Sequence, residues 1–161
     1  MPDMLLQNSD PQPPLPGTIW RVHCDGSAFP NPGNMGLGAT FTAPDGTQHE
    51  LSVTASGKGC NNEAEARAMM AALQYARQLG AARLVIHSDS RVVVDQLSGL
   101  DTRKIDRLEA LFESIRIMLA SFDEASVIWI PGHRNTKADA LARAAAGLPP
   151  RRPVTKGKRK R

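Results

Sequence analysis

The first third of the chain consists of short runs in which apolar and polar residues alternate. The run TIWRVHC alternates in this way and predicts a strand that ends at Asp25. The next residues, GSAFPNPGNMG, predict a loop because they are rich in glycine and proline. LGATFTA and HELSVTA then flank the turn sequence PDGT, which predicts a hairpin of two antiparallel strands.

After residue 60, helical periodicity alternates with short apolar runs. The predicted elements are, in order, a helix over residues 61–79, a strand RLVIHS, a helix DSRVVVDQL, an amphipathic helix over residues 105–120, a strand SVIWI and a helix NTKADALARAAAG. Gly80 is expected to end the first helix, and Asn135 is expected to cap the last one. The resulting order, βββαβααβα, predicts an α/β fold with a mixed sheet flanked by helices.

Positive charge is concentrated at one end of the chain. Residues 151–161 hold seven of the 20 basic residues and no acids, so the other 150 residues carry 13 basic and 16 acidic residues, a net charge of −3. We predict a disordered proline-rich leader over residues 1–16, a folded domain over 17–148 and a disordered basic tail over 149–161. Such a tail suits a phosphate backbone, or it is a solubilising or localising terminus, and its composition favours neither reading.

Composition also bears on the cellular compartment. No apolar stretch of the 161 residues approaches the ~18 residues that a membrane span needs, and no basic segment followed by a long apolar stretch predicts a secretory signal. Cys24 and Cys60 are far apart and form no CxxC pattern, which predicts two reduced thiols rather than a disulfide or a metal site. We therefore expect a cytoplasmic monomer with no membrane partner.

Two aspartates follow apolar runs at predicted strand ends. Functional side chains often converge at the strand ends of α/β sheets, which makes Asp25 and Asp89 candidates for chemistry. Each also has an ordinary explanation, since Asp25 could form an Asx-turn with Gly26 and Ser27, and Asp89 could cap the helix that follows it. Taken singly, the turn and the cap are the better readings.

Two further acids lie on or beside buried helix faces. In the helix from residue 61, Glu63 lies on a polar stripe, whereas Glu65 shares its stripe with apolar residues such as Met69 and Leu73. The positive end of the helix dipole explains an acid in the first turns, but it does not explain an acid on this face. Asp139 lies beside the apolar stripe of the last helix, where its ordinary reading is again a first-turn acid.

One hypothesis accounts for all four acids, which is that they converge. Two carboxylates ~4 Å apart repel each other by about 4 kcal/mol at an effective dielectric constant near 20, so such a cluster needs cations. Ligands that are all oxygen favour Mg²⁺, or Mn²⁺, over zinc, and two such ions can activate a water on a phosphodiester and stabilise the leaving oxygen. The sequence contains no GxxxxGK, no GxSxG and no histidine pair at metal spacing.

Four motifs, in order, resemble those of type 1 ribonuclease H. They are DGSAFPNPGNMGLGA, NNEAEARAMMAAL, HSDS and PGHRNTKADALARAAA, and the match runs from about residue 19 to residue 147. Each motif alone is weak, whereas four in order at workable spacing are specific. The resemblance implies a five-stranded mixed sheet, with antiparallel β1-β2-β3 followed by βα units, in agreement with the element order above.

Carried over by position, the resemblance also implies roles for individual residues. Asp25, Glu65, Asp89 and Asp139 correspond to the metal-binding carboxylates of the family, with two Mg²⁺ ions (or Mn²⁺) per site. His133 falls on a mobile-loop histidine thought to help proton transfer or product departure, although read alone it is a solvated surface residue. The remaining positions, which line the groove for the duplex, are Asn31, Asn61 and Asn62; a turn for Asn31 and helix capping for Asn61 and Asn62 are their ordinary readings.

The implied reaction is hydrolysis of the RNA strand of an RNA/DNA hybrid, leaving 5′-phosphate and 3′-hydroxyl ends. Many members of the family carry a basic, tryptophan-bearing protrusion, and residues 100–125 offer only one helix of mixed charge without tryptophan, so the basic tail is a candidate substitute. Arg91 stands where a glutamine is common, and it either contacts phosphate or pairs with Asp95, the reading we favour. The alternatives are a non-catalytic nucleic-acid-binding module, or a nuclease for double-stranded RNA or RNA–DNA junctions.

Overall fold

The computed structural model describes residues 18–101 and 103–152. Its elements are β1 (Ile19–Phe29), β2 (Gly33–Thr42), β3 (Gln48–Gly59), α1 (Asn61–Gln78), β4 (Arg83–Ser88), α2 (Arg91–Ser98), α3 (Glu109–Ala120), β5 (Glu124–Trp129) and α4 (Thr136–Ala145), with short 3₁₀ helices at Asp106–Leu108 and Gly132–Arg134. The predicted leader over residues 1–16 and residues 153–161 of the predicted tail lie outside the described residues.

All five strands form one mixed sheet in the order β3-β2-β1-β4-β5. β1 pairs with β2 in the antiparallel sense and with β4 in the parallel sense, while β2–β3 is antiparallel and β4–β5 parallel. The α/β class, the antiparallel start and the βα units that follow are therefore as predicted. Because β1 is central and β4 lies beside it, the residues that follow β4 come next to the second half of β1.

The first strand and the loop after it differ from the prediction. β1 does not end at Asp25 but continues to Phe29, and β2 already begins at Gly33, so only a three-residue turn remains of the predicted loop. The glycines of β2 have another purpose: a Cβ at Gly36 or Gly38 would overlap the backbone of α4. Glycine here permits close helix–sheet packing, although its frequency in the sequence resembles that of a loop.

The core lies between the sheet and the helices α1 and α3, and it is aliphatic, with few aromatic rings. The apolar stripe of α1 is buried as predicted, including Met69 and Leu73, and α3 contributes Phe112 and Ile115. The helix predicted from residue 105 starts with a 3₁₀ turn and becomes α-helical at Glu109. α4 packs alone on the opposite face, against β2, β1 and β3, and this position brings its first turn to the end of β1 that carries Asp25.

Two smaller expectations concern the thiols and the bilayer. Cys24 is buried and Cys60 is half-buried, and the structure has both as free thiols. Among the described residues, no helix combines the length and the apolar character that crossing a membrane requires.

Candidate active site

Asp25 and Asp89 come together because two parallel strands are in register. His23 of β1 lies opposite His87 of β4, and their rings stack with centroids 4.3 Å apart. Side chains two residues apart along a strand point to the same face. The two aspartates, each two residues beyond its histidine, therefore lie side by side, and Asp25 is only 4 % exposed.

Glu65 joins them from the start of α1. The backbone N–H of Gly26 donates a hydrogen bond to Oε2 of Glu65 at 3.2 Å. This approach depends on glycine, because a Cβ at Gly26 would overlap the backbone carbonyl of Ala64. One carboxylate oxygen from each of Asp25, Glu65 and Asp89 lies within 4.8 Å of the other two.

The three carboxylates impose strong mutual electrostatic effects. Burial raises the pKa of Asp25 far above its usual range, and the neighbouring Glu65 and Asp89 charges raise it further. Burial also raises the pKa of Glu65, to about 8, with the Asp89 charge adding to the shift and a hydrogen bond with Asp25 opposing it. Without a cation, the cluster holds protons at neutral pH because three adjacent negative charges are too costly.

Asp139, the fourth predicted acid, lies at the edge of this cluster and not inside it. It is in the first turn of α4, its side chain is 17 % exposed, and its charge contributes to the raised pKa of Asp25, Glu65 and Asp89. Its own partner is Arg151, which holds both carboxylate oxygens. The structure therefore brings three of the four acids into one compact group and places the fourth across a cleft.

His133 lies in that cleft. It is the middle residue of the 3₁₀ helix Gly132–Arg134, its side chain is exposed, and a cavity of about 510 Å³ joins it to Asp89 and Asp139. Its local sequence alone favoured a solvated surface residue, and it is indeed solvated. His133 lies on the wall of the cleft that Asp89 and Asp139 also line, so its side chain is accessible from both the site and the solvent.

Asn135 is a site residue that the sequence presented only as a helix cap. It occupies the position before α4, but its side chain makes no capping hydrogen bond. Asn135 is 2 % exposed, and its Nδ2 donates to the backbone oxygen of Cys24 at 2.9 Å. Burial raises the pKa of Asp89, and a hydrogen bond with the Asn135 side chain opposes that rise. The signal was its spacing, because Asn135 lies one helical turn before Asp139 and hence on the same face.

The residues around Asp89 correct the prediction that it caps α2. The cap of α2 is Ser90, whose Oγ accepts the N–H of Val93 at 3.2 Å, so the interpretation of Asp89 as the cap is wrong. Trp129 donates from Nε1 to the backbone oxygen of Asp89 at 3.2 Å and so fixes its main chain. With the cap supplied by Ser90, both oxygens of the Asp89 carboxylate can face the cluster.

Arg91 does not form the predicted pair with Asp95. Its guanidinium lies over the ring of Trp129, 3.8 Å from the ring centroid, and no ion pair among the described residues joins Arg91 to Asp95. Stacking on an indole competes successfully with an exposed i, i+4 ion pair, which is worth only a few tenths of a kcal/mol. Arg91 remains exposed on this stack, one residue after the cap Ser90.

Two of the three asparagines of the predicted groove, Asn31 and Asn61, connect β1 and the β1–β2 turn to α1. Oδ1 of Asn31 accepts the N–H of Asn61 at 3.1 Å, and Oδ1 of Asn61 accepts the N–H of Ala28 at 3.0 Å. The N-cap position belongs to Cys60, so neither Asn61 nor Asn62 caps the helix. These bonds use amide oxygens, and the exposed amide nitrogens of Asn31 and Asn61 remain available as donors.

The donor set fits a hard divalent cation. Three carboxylates from three separate elements offer oxygen atoms within 4.8 Å of one another, and each of these carboxylates has a raised pKa. A group of this kind is costly as isolated charges and favourable around Mg²⁺ or Mn²⁺, which prefer oxygen ligands. The residues present therefore fit a divalent metal site.

Comparison with known proteins shows which family the chain matches. Residues 23–145 match the family model described as reverse transcriptase-like. The structure superposes on the crystal structure of RNase H1 from Halobacterium salinarum with a TM-score of 0.76 and 32 % identity, over 80 % of this chain and 98 % of that one. The chain belongs to the type 1 ribonuclease H family. The fold and the predicted resemblance are thus confirmed together.

Two further relatives extend the comparison. LC11-RNase H1, solved in complex with an RNA/DNA hybrid, superposes with a TM-score of 0.73 at 28 % identity over 80 % of this chain and 96 % of that one. The bifunctional protein Rv2228c of Mycobacterium tuberculosis is 37 % identical over 125 residues, which cover 77 % of this chain and 34 % of that protein. The chain thus spans about a third of the length of this curated relative.

Proposed function

We propose that the chain is an endonuclease that hydrolyses the RNA strand of RNA/DNA hybrids and leaves 5′-phosphate and 3′-hydroxyl ends. The observation that carries this proposal is the group of Asp25, Glu65 and Asp89, which offer oxygens within 4.8 Å of one another, with Asp89 also lining the cleft of His133 and Asp139. The hybrid bound to LC11-RNase H1 supports the choice of substrate.

Each member of the site has a distinct task in this proposal. Asp25, Glu65 and Asp89, with Asp139 across the cleft, hold two Mg²⁺ ions, or Mn²⁺; such ions supply the charge that activates a water and stabilises the leaving oxygen. His133, exposed at the cleft wall, helps either proton transfer or the departure of the product.

Residues around the cleft hold the duplex and the ligands in place. The amide nitrogens of Asn31 and Asn61, with Asn62 beside them, donate to the sugar edge of the hybrid, whose wide minor groove exposes 2′-hydroxyls. Arg91 contributes a donor to phosphate from its stack on Trp129. Because these contacts go to sugar and phosphate, cleavage is largely independent of base sequence.

A non-catalytic module that only binds nucleic acid is the weaker candidate. A binding site for phosphate is disfavoured by several buried acids, and here burial and mutual repulsion already raise the pKa of Asp25, Glu65 and Asp89. Double-stranded RNA and RNA–DNA junctions differ from hybrids in groove shape and in the number of 2′-hydroxyls, so an assay with all of these substrates separates them.

The first prediction tests the proposed reaction directly. End-labelled RNA/DNA hybrid, double-stranded RNA, an RNA–DNA junction and double-stranded DNA are incubated with the wild type in Mg²⁺, in Mn²⁺ or in EDTA. We expect cleavage of the RNA of the hybrid alone, and none in EDTA.

Asp89→Asn should lose about 10³-fold or more of this activity, since a ligand charge is removed. Asp95→Asn, the same change on α2 away from the cluster, should retain it. A hybrid that survives the wild type in both metals contradicts the proposal.

The second prediction concerns the basic tail as a contact for the phosphate backbone. Deleting residues 153–161 removes five basic residues and retains Arg151 and Arg152. We expect KM for the hybrid to rise about fivefold to tenfold at moderate salt, with a shallower salt dependence and a similar kcat, because fewer counterions are released on binding. The measurement is steady-state kinetics over a series of salt concentrations. An unchanged KM at low and moderate salt would assign the tail another role.

A further inference from the structure

The chain turns back on itself directly after α4. Gly147 adopts the left-handed conformation, with φ of 80°, and ends the helix. The N–H of Leu148 then donates to the backbone oxygen of Arg143 at 2.8 Å, and Nε of Arg143 donates to the backbone oxygen of Pro149 at 3.0 Å. These bonds direct residues 147–152, which we call the return segment, toward the first turn of α4.

The return segment delivers a guanidinium to the fourth acid of the site. Nε of Arg151 donates to Oδ2 of Asp139 at 2.9 Å, and its Nη2 donates to Oδ1 at 3.3 Å. Arg151 is 69 % exposed and Asp139 is 17 % exposed, so this cation reaches the acid from the solvent side. Arg151 and Arg152 line the same cavity as Asp89 and His133.

Arg151 places a positive charge beside the acids of the site when no metal ion is bound. Asp139 is close enough to raise the pKa of Asp25, Glu65 and Asp89 through its charge. The pKa of Arg151 is in turn raised, first by its hydrogen bond and charge contact with Asp139 and then by the Asp25 and Asp89 charges. The charge of Arg151 therefore acts on Asp25 and Asp89 as well, although its guanidinium contacts only Asp139.

We propose that Arg151 is a tethered cation that competes with a divalent ion for Asp139. The guanidinium donates to both oxygens of Asp139 and neutralises its charge, so a metal ion that binds Asp139 competes with Arg151 for the same oxygens. Arginine cannot lose its charge by deprotonation, and the exchange is therefore a displacement of one cation by another. The proposal rests on the proposed function, because it assumes that Asp139 ligates a divalent ion.

Metal titration without nucleic acid tests the competition. Isothermal titration calorimetry with Mn²⁺, and separately with Mg²⁺, compares the wild type with Arg151→Gln. In each titration, the affinity for the more weakly bound of the two ions should increase about threefold to tenfold in Arg151→Gln. This range is expected when a partly exposed ion pair no longer has to be broken. Arg151→Lys, which keeps the charge and loses the two-pronged geometry, should lie between them.

The matched control is Arg83→Gln, which removes the same charge from the opposite end of β4, roughly 20 Å from Asp89 at ~3.3 Å per residue. Its Mn²⁺ affinity should equal that of the wild type, which would exclude a general effect of net charge. Equal affinities of Arg151→Gln and wild type, within twofold, would overturn the competition.

Limited trypsin digestion provides a second readout on the wild-type chain. Trypsin can cut after Arg151 only when the guanidinium enters the protease, which requires it to leave Asp139. We expect Mn²⁺ to accelerate cleavage of the Arg151–Arg152 bond about threefold or more, and Asp139→Asn to show fast cleavage with no response to metal. Cleavage after Lys158 in the same sample measures any effect of Mn²⁺ on trypsin itself. Equal metal responses at both bonds would overturn the proposal.

The two proposals fail in different ways. If Arg151→Gln binds Mn²⁺ like the wild type and the wild type cleaves the hybrid, the competition is wrong and the proposed function stands. If the wild type binds neither Mn²⁺ nor Mg²⁺ in the titration, the divalent site is absent and both proposals are wrong.

Discussion

Asp25→Asn is expected to abolish hydrolysis of the hybrid and, at the same time, to stabilise the metal-free protein. Asp25 is the most buried of the three clustered carboxylates, at 4 % exposure, and its ionised form is opposed by burial and by the Glu65 charge. Asparagine has nearly the same shape and no charge. The free energy of unfolding in EDTA should therefore increase by about 2 kcal/mol at pH 7.5, while activity falls about 10³-fold or more.

Chemical denaturation in EDTA and in Mg²⁺, with single-turnover cleavage of the hybrid, measures both effects. Asp45→Asn is the matched control: Asp45 is exposed in the β2–β3 turn and accepts the N–H of Thr47, which asparagine can also do. The control should change stability by less than about 0.5 kcal/mol. Mg²⁺ should stabilise the wild type more than Asp25→Asn, because binding to the folded state adds stability. An Asp25→Asn protein that is less stable than the wild type in EDTA would contradict our account of the cluster.

The sequence was most informative where one local pattern had one physical cause. Glu65 could be separated from Glu63 because an acid on an apolar helical stripe needs a compensating partner, and the structure shows Glu63 paired with Arg67 on the outside, and Glu65 turned toward Gly26. The strand RLVIHS and the apolar stripe of α1 were equally direct.

Prediction failed where one residue type serves two purposes. The glycines after Asp25 were interpreted as a loop, whereas Gly26 admits α1, and Gly36 and Gly38 admit α4, at separations that a Cβ would prevent. Asp89 was interpreted as a helix cap because the sequence cannot show whether Asp89 or Ser90 performs that task. In both cases the deciding contact comes from an element distant in sequence.

The contacts of Asn135, Trp129 and Arg151 could not be predicted from the sequence for a related reason. Asn135 reaches the backbone of β1, 111 positions away, and Trp129 reaches that of Asp89, 40 positions away. Arg151 belongs to a run of basic residues whose composition predicts only a solvated tail. The return after Gly147 gives this one arginine a defined partner, and no periodicity in the sequence encodes that contact.

Two carboxyl groups should make the stability of the metal-free protein decrease as pH rises from about 4 to 8. In the folded state the pKa of Glu65 is raised to about 8 by burial, with a contribution from the Asp89 charge, and that of Asp25 is raised further, whereas both are near 4 in an unfolded chain. The folded protein therefore binds more protons than the unfolded one throughout this window. Stability decreases with pH wherever the folded state holds the excess protons, here by about 1 to 2 kcal/mol per pH unit.

The titration of His23 sets the pH range in which the decrease in stability can be measured alone. Burial, then the His87 and Arg21 charges, lowers the pKa of His23 to about 4, so its contribution makes stability rise between pH 4 and 6.5 and is complete above that range. Denaturation in EDTA from pH 6.5 to 8 should thus show the decrease alone for the wild type, and a clearly shallower one for Asp25→Asn. Saturating Mg²⁺ should reverse the trend, because the ion binds deprotonated carboxylates and releases their protons. Parallel slopes for the two proteins in EDTA would show that the protons are held elsewhere in the chain.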